Sequence, residues 1–580
     1  MVNLQTFALG ALSLYSTFSS ASADSPGSYL WDPPVDNEAN VYARIIELRN
    51  AGAQNGRLLA TWEHWYTTGP DSAIGNGTAG SFIVRSSDDG GDSWSTLATV
   101  EDTVSGGGHP YALFWQPFFF EYPVHVGDYP AGTLLLVGNL VPQNKSVTEF
   151  YTWRSTDHGA TWTMISDTPW QTGGPPGSGI WEPFLYLDAS GKLVAVFSDE
   201  RNYTTHSQML VHVVSDDGGD TWGDVVLDVA SDAQTDRPGM ATVALMDNGE
   251  YAMSYEVCGR PNCPVHVKTS KDGVTWGDGA SDVGTAVVTE DSLYAGSSPY
   301  TAWDPATNQL VLACHAVWDV ATDTQAPESR RAVFTNDNYG QGVWSWSPAP
   351  WAVSNASAAC NSNYSPNLLP LSNNSIRYTA PTSEGTTGLC SEKTGIAPIG
   401  VLPYSSDFAA NGQQGWFNLG GNWTVDDDEY SVGSVGNIDA RAVTGSSGWT
   451  DYTVEADAMI VGSSGVVGLN ARVSAPFNGL NAFKGYTAAI NSFTGNLTVS
   501  REAHAMVVLA TAAHPGGIVG NTWYHLSLKV SGYDLTATVT SATGTSSTTV
   551  KAVDNTFPRG MAGLLANDGA GSFKNVKIAK

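Results

Sequence analysis

Charge is scarce in this chain, and basic charge scarcer still. Asp, Glu, Lys and Arg make up 14% of 580 residues, and 26 basic side chains stand against 56 acidic ones. Long solvated helices built on Lys and Glu are therefore not expected. A net charge of −30 repels phosphate backbones and anionic lipid, which argues against nucleic acid and membrane surfaces as partners. Cysteine is also sparse, with five residues and no spacing that suits zinc; no metal or cofactor is called for. Past the N-terminal segment no stretch approaches the roughly 18 apolar residues of a membrane helix. The chain is rich instead in glycine (62), proline (29) and tryptophan (20), with 42% hydrophobic residues. That composition excludes a disordered chain and points to short strands joined by tight turns, in two or three domains at this length. Many Trp and Tyr on an acidic chain leave neutral sugars as the attractive class of partner.

Residues 1–23 read as a secretory signal peptide. An apolar run from Phe7 to Leu14 is followed by small residues and by Ala21-Ser22-Ala23, with cleavage before Asp24, although no Lys or Arg precedes the run. A secreted, extracellular, monomeric protein is expected. Eight sequons agree with export: Asn76, Asn144, Asn202, Asn355, Asn363, Asn373, Asn422 and Asn496. An oxidising compartment permits Cys258–Cys263 and Cys360–Cys390 as local staples, with Cys314 buried and free.

Four segments repeat one pattern at strand ends: SDDGGDSW from Ser87, STDHGATW from Ser155, SDDGGDTW from Ser215 and SKDGVTW from Ser270; a worn fifth copy spans Thr335 to Trp344. The Asp oxygen accepts turn amides, Gly takes the positive-φ position and Trp folds back on the hairpin. The motif resembles the Asp box of sialidase-like β-propellers, whose role is structural, so none of these Asp residues is assigned to catalysis. Beside the boxes, six copies of an apolar strand, a turn and a second apolar strand run from Val41–His64 to Ser365–Thr379. Copies of about 60 residues suit four-stranded blades. The reading is an all-β chain with a six-bladed propeller over residues 24–403, its last blade closed by the N-terminal segment.

Propeller chemistry gathers where inner strands meet the axis. In five copies the first strand carries an X-Pro step, at Gln116, Glu182, Arg237, Ser298 and Ser365, and Arg44 takes this place in the first. The second strands place Glu63, Asn139, Ser198, Glu256 and His315 at one offset. A structural framework would have little need of polar residues in an otherwise apolar pattern. Three carboxylates stand out, Glu63, Glu182 and Glu256: either a glycosidase pair lies among them, or they are solvated strand ends or partners for Arg44 and Arg237.

The stretches GIWEPFLYL, FSDERN, DRPGMATVALMDNGEYAMSYE and SPYTAW resemble the fungal exo-arabinanases of glycoside hydrolase family 93 over roughly residues 30–400. The resemblance implies retaining cleavage of α-1,5-linked L-arabinan from the non-reducing end with release of arabinobiose. It implies Glu182 and Glu256 as the catalytic pair; Glu182 is taken as acid/base and Glu256 as nucleophile, an order of roles that the sequence leaves open. Tyr378 matches a tyrosine near that family's active centre and could hydrogen-bond the nucleophile, or be an ordinary core tyrosine. Arg44, Arg237 and Arg201 are candidates for hydroxyl binding or carboxylate orientation, with an ion pair to Asp199 or Glu200 as the other reading of Arg201. Glu63, His64 and His315 are further pocket candidates. Cys258–Cys263 could brace the loop behind Glu256.

A sialidase is the rival enzyme, with Arg44 and Arg237 in an arginine triad that Arg377 completes poorly. A non-catalytic sugar-binding propeller is the third reading. Over residues 404–580 the boxes stop, and alternating runs such as DYTVEADAMI and TWYHLSLKVSG read as an antiparallel β-sandwich of jelly-roll type. This segment resembles concanavalin-like sandwiches, including levan-binding family 66 modules, which implies either sugar binding or a packing role. Trp416, Trp423, Trp449 and Trp523 suit either. No Pro- or Ser-rich linker precedes it, so the halves are expected to pack together.

Overall fold

The computed structural model describes residues 27–33, 38–66, 80–103, 111–385, 389–406 and 408–580. The signal-peptide segment and the Asn76 sequon lie outside these residues, as does the side chain of His64. Short apolar strands broken by Gly turns assemble into six antiparallel sheets of four main strands, the blades of a six-bladed propeller. The first blade is Glu38–Glu47, Leu58–Tyr66, Ser81–Ser87 and Ser95–Glu101; the third is Ile180–Leu187, Leu193–Asp199, Met209–Ser215 and Val226–Val229. The sixth takes Asn367–Pro370, Ile376–Thr382 and Ser391–Ala397 from its own segment and Ser28–Trp31 from the N-terminal end, Ser28 lying opposite Thr394. First and last segments thus share one sheet, which closes the ring of blades.

Blades bury both faces against their neighbours, which is why Leu193–Asp199 is buried throughout. Phe118, Val137 and Phe150 of the second blade pack on Phe184, Val196 and Phe197 of the third, which meet Val243 and Met253 of the fourth. The rings of Phe118 and Phe184 lie 4.2 Å apart.

The repeated turns tie the outer ends together. Ser155 Oγ accepts the Gly159 amide (2.9 Å) while Asp157 Oδ1 accepts that of Thr161 (2.9 Å), and the same bonds recur at Ser87/Asp89 and Ser215/Asp217. In the worn fifth copy Asn336 Oδ1 accepts both Asn338 N (2.9 Å) and Gly340 N (2.8 Å), so an amide oxygen stands in for the serine. Two of the turns are held by the preceding blade: the Tyr122 hydroxyl donates to Gly218 O and that of Tyr186 to Gly273 O, both at 2.6 Å.

The C-terminal part is one nearly closed antiparallel sheet of 13 strands wrapped around its own core. Its last strand, Met561–Ala579, pairs along its length with Glu429–Thr444, Tyr452–Val461 and Val466–Ser474. Trp416 and Trp423 are core residues, Trp449 packs against that core, and Trp523 is half-buried. The two halves share a second core, in which Trp344 and Trp346 of the fifth blade meet Phe417, Val443, Phe483 and Met561. Trp346 and Ser447 exchange two hydrogen bonds of 2.9 Å there, and the Arg331 guanidinium lies 3.9 Å over the Phe417 ring. The halves are packed.

Candidate active site

Four inner strands carry a β-bulge, between Val41 and Arg44, Trp115 and Phe118, Trp181 and Phe184, and Gly239 and Thr242. The residue in the bulge has positive φ: Tyr42 (64°), Gln116 (54°), Glu182 (54°) and Met240 (55°), joined by Ser298 (37°) and Ser365 (53°) in the last two blades. Non-glycine residues in this region cost about 1–3 kcal/mol each and gather at functional sites. The alignment on X-Pro steps is therefore corrected in two blades. Tyr42 and Met240, not Arg44 and Arg237, are the equivalents of Glu182, because proline is tolerated before a bulge as well as inside it.

The second-strand set does share one register: Glu63, Asn139, Ser198 and Glu256 pair with Val41, Trp115, Trp181 and Gly239. The expectation that a framework has no use for them is overturned. A bulge turns its amide out of the strand ladder, and a buried amide needs an acceptor. Glu63 Oε2 takes Gln116 N (2.9 Å), Ser198 Oγ takes Met240 N (3.1 Å) and Glu256 Oε2 takes Ser298 N (2.7 Å), each from the following blade.

On this scaffold Glu182 and Glu256 have different surroundings. Glu182 projects from the bulge itself. Its Oε1 accepts a long bond from Gln116 Nε2 (3.3 Å), and the Ser198 hydroxyl beside it is the other donor that favours its charge. Burial, with the charges of Glu256 and Glu200, pushes its pKa up to about 8, against a smaller opposing pull from the Ser198 hydroxyl and Arg237. Glu256 is also pushed up by burial, but the Ser298 amide, the Ser297 hydroxyl (2.9 Å) and Arg237 favour its charged form. The Cys258–Cys263 disulfide braces this arrangement, since Cys263 O accepts Ser297 N at 2.8 Å. Arg237 is itself held by Glu200 Oε1 (2.5 Å) and Gln208 Oε1 (2.6 Å).

Gln116 was not singled out as a site residue by sequence, yet it links the cluster: Asn139 Nδ2 donates to its Oε1 (3.2 Å), as does Glu182 N (3.0 Å). Tyr364 was missed as well. Burial and the charges of Glu182, Glu256, Tyr42 and Glu63 hold its phenol well above the ordinary tyrosine range, and its hydroxyl lies 3.7 Å from Sδ of Met240, the bulge residue of the fourth blade. The place of Tyr364 just before Ser365-Pro366, the X-Pro step of the sixth copy, was the signal that could have found it. His315 stacks edge-on against Tyr364 at 6.0 Å.

Other candidates fall elsewhere. Tyr378 is a core residue packed on Trp351 whose hydroxyl is bonded to Asn363 Oδ1, so it does not reach the nucleophile. Arg44 is buried between Tyr42 and Tyr300 and bonded to Ser365, where it holds the ring of blades together. Arg201 forms a two-pronged pair with Asp199 (2.9 and 2.7 Å), which leaves its guanidinium little to offer a sugar. Arg377 binds Gly90 O on the first blade's outer turn, so no arginine triad forms. Asn363 is buried, its amide spent on Cys314 O and His315 O (2.7 and 3.0 Å), which rules out a glycan there. Asn144, Asn202, Asn355, Asn373 and Asn422 are exposed. Cys360 is bonded to Cys390, and Cys314 is buried and free. Glu256 with Cys258 and Cys263 is the one grouping of potential metal ligands among the described residues, and the disulfide takes both sulfurs.

Two solved structures match the propeller with 29% identity and a TM-score of 0.53. One is the GH93 α-L-arabinofuranosidase of Fusarium graminearum in complex with arabinobiose, covering 64% of this chain and 97% of its own. The other is the α-L-arabinanase of Penicillium chrysogenum complexed with arabinobiose, covering 65% and 99%. The propeller resembles those of glycoside hydrolase family 93. No family model matches the chain, and neither does any curated protein.

Proposed function

We propose that the chain is an exported, exo-acting glycoside hydrolase that cleaves α-1,5-linked L-arabinan with retention and releases arabinobiose. The observation that carries this is the unequal carboxyl pair. With a pKa near 8, Glu182 holds a proton at neutral pH, while Glu256 keeps the donors that favour its charge.

Glu256 would attack the anomeric carbon as Glu182 protonates the departing oxygen, breaking the glycosidic bond and forming a glycosyl ester on Glu256. Glu182, now ionised, would draw a proton from water as that water displaces Glu256 and restores the anomeric configuration. Arg237 favours the charged form of both carboxyls, and Gln116 sets where the Glu182 carboxyl stands. The sugar and the product length rest on the likeness to the two fungal enzymes.

The test is product analysis on debranched arabinan, with the anomer of the first product read by NMR. Arabinobiose of retained configuration is expected. A ladder of products would indicate cleavage within chains, an inverted anomer would remove the glycosyl ester, and no product would remove the substrate.

A further inference from the structure

The C-terminal sheet holds a second polar site, lined by residues 439–568 and by none of the propeller. Lys484–Asn491, Asn496–Ala503 and Met506–Ala513 are successive strands, and their alternation puts Thr487, Ala489 and Asn491 on one face with Asn496, Thr498, Ser500 and Glu502. These residues line a groove of about 390 Å³, walled by Leu480, Met506 and Val508, apolar side chains each more than 40% exposed. Apolar walls over hydroxyls and amides suit the faces and edges of a sugar.

Beneath lies a built polar layer. Glu502 is 3% exposed, its Oε1 accepts the Ser500 hydroxyl (2.7 Å), and the Thr487 hydroxyl also favours its charged form. Asp439 accepts from Arg441 (2.9 Å) and Asn567 (2.7 Å), yet Arg441 Nε and Nη1 and Asn470 Oδ1 remain unpaired in the interior. A sandwich that only packed against the propeller would fill such a floor with apolar side chains, because buried polar groups without partners cost stability. Glu502, Asp439 and Asp568 face the groove against one buried arginine, which disfavours an anionic ligand. One end of the groove reaches Phe483, which also belongs to the core shared with the propeller, so a bound ligand is held at a fixed position relative to the first domain.

We infer that this groove binds a neutral polysaccharide segment and anchors the polymer on which the propeller acts; the second clause rests on the proposed function, the first does not. Anchoring would raise the local concentration of chain ends at the axis. Asn496 and Thr498 form a sequon inside the groove, so a glycan there would occupy it.

The test uses full-length protein carrying Glu256→Gln, run in native gels containing debranched arabinan, xylan, galactan or levan. Retardation by at least one polymer is expected, with at least tenfold weaker binding after adding Ala489→Trp, which fills the floor, or Thr498→Val, which removes one hydroxyl. Two variants guard against a folding defect in one of them. With Glu256 intact, Ala489→Trp should leave turnover of a short arabino-oligosaccharide within twofold and raise KM several-fold on the polymer. Retardation unchanged by both variants, retardation by none of the four polymers, or a glycan on Asn496 by peptide mass spectrometry would each overturn the inference. Groove-dependent binding without arabinan cleavage would keep the groove and remove only the proposed activity.

Discussion

The two ends of each blade use acidic side chains in opposite ways. At the outer end, Asp89, Asp157, Asp217 and Asp272 each accept bonds from a serine hydroxyl and from the amide and hydroxyl of a Ser or Thr, and all four carboxyls are held below the usual range. At the axis, Glu182 has a long bond from Gln116 and the Ser198 hydroxyl beside it, Glu256 has two donors that serve a single oxygen, and burial drives both upward. A carboxylate saturated with donors is inert, whereas one starved of them in a buried site can hold or move a proton near neutral pH. Repetition built the rim, and departure from repetition built the site. Gln116 and Met240 occupy the Glu182 position in the neighbouring blades and Tyr42 does so in the first, so one blade out of six places a carboxyl there.

The largest test of this contrast is removal of the axial pair. Glu256→Gln should abolish turnover of arabinan. Glu182→Gln should lower it by about 10²–10⁴-fold, with much less effect on an aryl arabinoside whose leaving group needs no proton. The parent kcat/KM should fall as pH rises past about 8, where Glu182 loses its proton, and this alkaline limb should vanish in Glu182→Gln. An unchanged limb would assign the acid elsewhere.

Glu392 is a carboxyl with neither set of surroundings: it lies in the interior of the sixth blade, where burial outweighs the Arg44 charge and the Ala43 amide and raises its pKa to about 8. It is neutral when folded but ionised when unfolded between about pH 4.5 and 8. Its contribution to stability is thus complete below pH 4.5 and is lost as pH rises through 8. Glu392→Gln should match the parent in denaturant melts at pH 4.5 and exceed it by a few kcal/mol, roughly, at pH 8.

Gln116→Ala should sharpen the comparison from the other side. It removes the side chain that bonds both the amide and the carboxyl of Glu182, and kcat on arabinan should drop by about one order of magnitude with KM little changed. An equal rise in KM would make it a binding residue. Smallest is the rim: Asp217→Ala should cost about 1–2 kcal/mol in unfolding and leave kcat as it was. Lost activity at full stability would break the division between the ends.

Much of this was legible in the sequence because it is local. A Ser, an Asp two residues on, a Gly and a Trp specify a turn wherever they occur, and six apolar strand pairs specify six blades. The offset that selected Glu63, Asn139, Ser198 and Glu256 survived because no insertion falls between turn and axis in those strands. The inner strands were harder, since a bulge adds a residue without a mark in the sequence, and alignment on proline moved Arg44 and Arg237 out of place. Tyr378 and Tyr364 also differ in a way that the sequence does not mark: one packs on Trp351 inside a blade, and the other meets His315 and Met240 of other blades.

The repeat alone therefore determined the blades and the short roster of carboxylates, because each follows from contacts within one turn or hairpin, while the closing of the ring by the N-terminal segment followed from the count, the sixth copy having no box of its own. Which carboxyl holds a proton was decided only in the tertiary structure. Desolvation and the distribution of donors depend on side chains from neighbouring blades: Gln116 beside Glu182, Ser297 and Ser298 on Glu256, and Arg237 acting on both.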